Sequence, residues 1–143
     1  MNKQRQLFPT TLEMVEEFIT LFNRPNDVRD VPYIDDIKNN SLCYDLIEEE
    51  LHELGEALRI ADPVAILDAL TDIQYTLDFA YVRLGFYNVK DAAFKEVHLS
   101  NMSKLGADGK PVLNDKGKVQ KGPNYFKPNL LQFVERLTNA GKN

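Results

Sequence analysis

At 143 residues the chain fits one domain spanning 1–143, long enough to bury about two-thirds of its unfolded surface. A net charge of −5 and a pI near 5.0 argue against nucleic-acid binding, which needs clustered Lys and Arg, and suit a protein that gathers carboxylates around a cation. Cys43 is the only cysteine, which excludes an intrachain disulfide and a Cys-based zinc site; it is expected as a small buried hydrophobe. No apolar run approaches the roughly 18 residues of a membrane span, and MNKQRQLFPT lacks the apolar segment of a secretory signal. No membrane partner and a cytoplasmic location are expected.

Taken in chain order, Thr10 or Thr11 can cap a first helix, with Glu13 and Glu16 near its positive end. Met14, Val15, Phe18, Ile19 and Phe22 recur at helical spacing, and Pro25 stops the helix near Asn23. Residues 24–37 contain two prolines and read as an ordered loop whose length suggests a lid. A second helix is expected from about Ser41 to Ile60. Asp62 and Pro63 start a third that runs to Leu84 with Gly85 at its C-terminus, and the short link makes the two an antiparallel hairpin. A fourth helix spans about Val89–Lys104, with Asn88 a candidate cap. In the Gly- and Pro-rich stretch that follows, PVLN and KVQK flank Asp115–Gly117 and suggest a small β-hairpin or loop excursion. A last helix covers about Leu130–Thr138. The fold class is all-α: an antiparallel bundle of about five helices.

Some acidic residues do not fit a solvated helix face. In the second helix Leu46, Ile47, Leu51, Leu54, Ala57 and Leu58 share one face; Glu50 falls inside it, Glu53 on its border, and Glu49 and Glu56 just beyond. A buried unpaired carboxylate is costly, so Glu50 calls for a cation or hydrogen bonds. In the third helix Ile66, Leu70, Ile73, Leu77 and Leu84 form one apolar face. Asp68 and Asp72 lie opposite, on the side of Tyr75, Phe79 and Val82. Like charges four residues apart repel, and a divalent cation converts that repulsion into binding. The hairpin lets these groups converge, and carboxylate oxygens suit Mg²⁺ or Mn²⁺, with substrate phosphates completing the shell. A di-iron carboxylate bundle is the chemical competitor, but it needs Glu-x-x-His pairs on two helices, and the two histidines do not supply both. His52 is expected to face solvent, and Phe8, Phe22 and Phe79 to be core or interface.

EELHE (Glu49–Glu53) followed by DALTD (Asp68–Asp72) resembles the all-α nucleoside triphosphate pyrophosphohydrolases, the superfamily of MazG, the dimeric dUTPases and phosphoribosyl-ATP pyrophosphatase. The segment EVHLSNMSKLGADGKPVLNDKGKVQKGPNYFKPNL is similar to the C-terminal part of MazG-like, phosphoribosyl-ATP-pyrophosphohydrolase-like proteins, many of them from phages. The resemblance covers roughly residues 12–132. It implies Mg²⁺-dependent hydrolysis of a (deoxy)nucleoside triphosphate to the monophosphate and pyrophosphate, with Mn²⁺ able to substitute, serving nucleotide-pool control or house-cleaning. By motif position Glu50, Glu53 and Asp72 would be metal ligands and Glu49 a ligand or water-orienting base. Many members carry Glu three residues before the Asp; here that position is Ala69, and Asp68 stands beside it. Asn101 and Lys104 would contact phosphate or ribose, and Lys121 and Tyr125 are further substrate-binding candidates. The resemblance also implies a homodimer or homotetramer, and a host-cytoplasmic location if the chain is phage-encoded. Phosphoribosyl-ATP hydrolysis in histidine synthesis and a non-catalytic helical interaction module are the alternatives.

Overall fold

Five α-helices form among the residues described by the computed structural model, which are 9–22 and 25–142: α1 (Thr11–Phe22), α2 (Ile37–Ile60), α3 (Pro63–Arg83), α4 (Lys90–Met102) and α5 (Leu131–Ala140). Short 3₁₀ turns occupy Pro25–Asp27 and Tyr87–Val89. The all-α expectation holds, and among the described residues no helix is long and apolar enough to cross a membrane. Phe8 and the expected helix end at Asn23 lie outside the described residues.

Local chemistry sets each helix end. At the start of α1, Glu13 N donates to Thr10 Oγ1 at 3.2 Å and Thr10 N donates to Glu13 Oε2 at 2.6 Å, a reciprocal capping box. The backbone donor, and after it the Thr10 hydroxyl, hold the Glu13 carboxyl below its ordinary value. Helix α2 begins at Ile37 rather than near Ser41, because Asp36 accepts from Asn39 N at 3.1 Å and so caps a turn that the Asn-rich sequence disguises. It ends at Ala61, whose φ of 55° is left-handed; Ala61 N and Asp62 N return to the carbonyls of Leu58 and Ala57. Asp62 then caps α3 by accepting from Val64 N at 2.9 Å and Ala65 N at 3.3 Å, with Pro63 in the first helical position.

The core lies where α1 crosses the hairpin. Val15 and Ile19 pack with Cys43 of α2 and with Phe79, Ala80 and Val82 of α3. The two apolar faces of α3 are not equally covered. The face of Leu70 and Leu77 is half open, whereas the Phe79–Val82 side is buried, because α1 covers that side. Phe79 is core, one of the two places expected for it, while Phe22 is exposed in the single chain and so is not core.

The 28–33 segment is an ordered loop, as expected, strapped to the end of α3. Arg29 N donates to Val82 O at 3.2 Å and Tyr33 N to Leu84 O at 3.0 Å, while Arg83 pairs with Asp27 at 2.7 Å and its Nε donates to the buried Asn39 at 2.8 Å. Strap and α3 meet so closely that a Cβ on Gly85 would lie 1.8 Å from Val31 O. Gly85, with φ of +81°, also closes the helix, its N–H and that of Phe86 returning to Val82 O and Tyr81 O.

Helix α4 has no side-chain cap; Asn88 lies inside the preceding 3₁₀ turn, contrary to expectation. What holds its start is Asp78, fully buried on α3, which takes an ion pair from Lys90 and a hydrogen bond from Gln74 at 3.0 Å. The expected β-hairpin does not form. Among the described residues only one isolated antiparallel bridge joins Leu113 and Val119, around a turn in which Asn114 Oδ1 accepts from Lys116 N and Lys118 N, and the exposed flanking residues have no layer to pack against. The excursion returns to α4 through Ser100 Oγ, which donates to Phe126 O at 2.8 Å, and Asn129 N, which donates to Glu96 at 2.9 Å.

Two backbone positions make opposite predictions. Gly85→Ala combines a left-handed φ with a collision against backbone, and is expected to cost at least about 2 kcal/mol. Ala61→Gly removes a left-handed strain and is expected to stabilise by about 0.5–1 kcal/mol. Urea unfolding followed by circular dichroism measures both.

Candidate functional site

The hairpin sets the acidic stretches of α2 and α3 side by side. Glu50 is partly buried, and its Oε2 atom is shut from solvent without any hydrogen-bond partner. Burial pushes its carboxyl above the ordinary range, and the charges of Asp72, Glu53, Glu49 and Asp68 push it further in that order. The other four acidic candidates of the two motifs thus all act on Glu50. Asp72 is partly buried, whereas Glu49, Glu53 and Asp68 are exposed. Ala69, in the position that usually carries the acid, is buried against the hairpin. Asp68 and Asp72 lie one turn apart on the neighbouring stripe, where a carboxylate reaches solvent.

These residues fit a hard cation chemically. A buried oxygen with no donor lacks what a cation or a donor would supply, and carboxylates are the ligand type that Mg²⁺ and Mn²⁺ take. Among the described residues, however, no three acidic, His or Cys side chains are arranged as a ready-made ligand set. Carboxylates repel until a cation draws them in. Glu49 and Glu53 turn outward, lining an open groove of about 560 Å³ along α2 with Asp45, Glu48 and His52. Glu49 and His52 have Glu-x-x-His spacing, but His98 follows Lys95 by three residues, so the second pair of a di-iron bundle is missing. His52 is exposed, as expected.

The other four candidates gather at the end of α4. Lys104 Nζ donates to Asn101 Oδ1 at 2.8 Å, and Lys121 Nζ sits 4.6 Å from the centre of the Tyr125 ring. Gly122 N donates to Lys104 O at 3.0 Å and so joins the two pairs. Gly122 is required there, since a Cβ would meet Leu105 O at 2.1 Å. No hydrogen bond or ion pair among these residues links this polar set to the carboxylates of α2 and α3.

Sequence reasoning missed the residues that hold both sets in position. Asp78 and Lys90 fasten α4 to α3; the signal was an acid on the same side of α3 as Phe79 and Val82. Ser100, buried, and Ser103, whose Oγ accepts from Phe126 N at 3.1 Å, dock the KGPNYF segment; the signal was two serines one turn apart in SNMSK.

The phosphoribosyl-ATP pyrophosphohydrolase family model matches residues 15–101, from the middle of α1 to Asn101. The match contains all five acidic candidates and ends before Lys104 and the C-terminal excursion. No curated protein matches the chain.

The raised Glu50 carboxyl has a pH consequence. In the unfolded chain it titrates near 4.5, and in the folded chain above that. The folded state therefore binds the proton more tightly, and this group's contribution to stability falls as pH rises from about 4.5 through the folded value. Glu50→Gln is expected to raise the melting temperature of the metal-free protein at pH 7 and to leave it unchanged near pH 4. Thermal melts at the two pH values in EDTA check this; equal shifts at both would contradict it.

Proposed function

Because the chain belongs to the phosphoribosyl-ATP pyrophosphohydrolase family, a family of hydrolases that release pyrophosphate from nucleotide substrates, we propose that it hydrolyses (deoxy)nucleoside triphosphates to the monophosphate and pyrophosphate with the help of Mg²⁺. The observation that carries this reading is Glu50, a carboxylate with one oxygen buried and unpartnered, which feels the charges of four further carboxylates. Such a group is expensive in a purely structural role and inexpensive beside a divalent cation.

In this reading Glu50, Glu53 and Asp72 hold Mg²⁺, and Asp68 steadies it from the next turn of α3. When bound, the ion neutralises phosphate charge and supplies Lewis acidity at the reacting phosphorus. Glu49, exposed on the rim, accepts a proton from the attacking water. Lys104 and Lys121 present ammonium groups to the phosphates, Asn101 offers amide donors, and Tyr125 flanks them. The reaction breaks the bond between the α-phosphorus and the bridging oxygen, and pyrophosphate leaves with that oxygen.

The polar set on α4 completes the site most simply across a homodimer or homotetramer. Support for this comes from α2 and α3, which leave Leu51, Leu58, Val64, Leu67 and Leu70 exposed along the hairpin, more apolar surface than a solitary helix pair tolerates. Action in the cytoplasm, of a cell or of a phage host, fits such a substrate. Phosphoribosyl-ATP is the second reading, since the family match bears that name, and it involves the same cleavage.

The test is Mg²⁺-dependent pyrophosphate release from a panel of NTPs, dNTPs and phosphoribosyl-ATP, with Mn²⁺ replacing Mg²⁺ in a parallel series. Glu53→Gln is expected to lower kcat by at least about 100-fold while leaving the helical circular dichroism intact. A fully active Glu53→Gln, or no release from any member of the panel, overturns the reading. Light scattering is expected to give a multiple of the 16.4 kDa chain mass.

A further inference from the structure

Three aromatic rings stand beside the carboxylates and are only partly covered. On α3, Asp68, Asp72 and Tyr75 occupy positions i, i+4 and i+7, so Tyr75 continues the acidic stripe, about 4.5 Å along the axis from Asp72. Phe18 of α1 meets the Tyr75 ring edge-on, with centroids 5.8 Å apart at 83°. Phe22 stacks on Phe18 at 4.7 Å and 22°. Tyr75 is 39% exposed, Phe18 36% and Phe22 74%, with Met14 and Leu21 also open at the edge. Phe22 and Phe18 alternate with the buried Val15 and Ile19 on α1, so the core has claimed one side of the helix and left the aromatic side uncovered.

We propose that Phe18, Phe22 and Tyr75 form a shelf on which the base of the nucleotide stacks while its phosphates lie at the Glu50–Asp72 carboxylates. This rests on the hydrolase reading and adds to it the residues that receive the base. Three features select a base rather than another occupant. The shelf is contiguous with the acidic stripe, so a nucleotide spanning one turn of helix reaches both. Its rings form a stacked pair with an edge-on partner, an arrangement that a planar heterocycle extends. It offers flat apolar faces with few polar groups beside them, the Tyr75 hydroxyl and the Glu17 carboxylate whose charge acts on it, and hence recognition chiefly by stacking. The shelf therefore holds purines and pyrimidines alike, because every base has a π-face. Tyr125, the other aromatic near phosphate-binding candidates, is less suited, since Lys121 already caps one side of its ring.

The test compares nucleotides with a ligand that has phosphates but no base. KM for ATP and for the four dNTPs, and the inhibition constant of inorganic tripolyphosphate, are measured for the full-length wild type, Phe22→Ala and Tyr75→Leu. Loss of one stacking partner is expected to raise every nucleotide KM roughly 5- to 100-fold, with the tripolyphosphate constant within about twofold of wild type, so the ratio of the two changes. Equal weakening of nucleotide and tripolyphosphate, or no change in either, overturns the shelf. So does a fall in the mass measured by light scattering for Phe22→Ala, which would make this patch a contact between copies of the chain. A wild type that neither hydrolyses nor binds any nucleotide sinks the hydrolase reading itself. A wild type that hydrolyses, together with variants of unchanged ratio, sinks the shelf alone.

Discussion

Two residues, Ala61 and Asp62, separate the α2 and α3 helices, and the rest of the site follows from how tightly they turn. Ala61 accepts a left-handed backbone so that two N–H groups can return to α2. Asp62 at once caps α3 with its side chain. With so short a link the helices must lie antiparallel and in contact. Residues equally far from the turn on its two sides then oppose one another, so Asp72, ten residues after Asp62, comes opposite Glu50, eleven before Ala61, and the charges of Asp72 and Asp68 act on Glu50.

Convergence of like charge has to be held against its own repulsion, and the holding is done away from the acids. At the far end of the hairpin α1 covers Phe79, Ala80 and Val82, and Arg83 of α3 ties Asp27 of the first 3₁₀ turn and Asn39 of α2 to itself. Asp78 carries the only carboxylate among the described residues that is fully buried and paired with a lysine, and it fixes where α4 departs. Removing one member of such a pair leaves a buried charge uncompensated, which is far more damaging than the net worth of the intact pair. The molecule thus separates two uses of buried acid. Asp78 has its cation supplied by the chain, whereas Glu50 has none.

Much of this was legible in one sequence, because it depends on residues close together along the chain. Thr10 with Glu13, Asp62 with Pro63, and Gly85 each announce a helix end through local chemistry, and each is found there. Glu50 was legible too, as a charge at an apolar position of a helical repeat. The start of α2 was not, since Asn39 and Asn40 look like loop residues until Asp36 is seen to cap them. Nor was the loss of the hairpin, since PVLN and KVQK alternate like strands but meet no sheet or helix that would bury one face. The length of the strap is visible in sequence, whereas its attachment to Val82 and Leu84 is not.

The division has a physical basis. By itself the sequence determined the helices, their caps, the hairpin and the presence of misplaced carboxylates, all of which arise from interactions spanning about five residues. Only the tertiary structure decided which face of α3 is core, since both are apolar and the choice belongs to where α1 lands. It likewise decided that the four candidates of α4 and the KGPNYF segment meet one another through Gly122 and the two serines, contacts between residues more than fifteen apart. And it decided that Phe18, Phe22 and Tyr75 remain open beside the acids, because exposure is a property of what packs nearby and not of the residue itself.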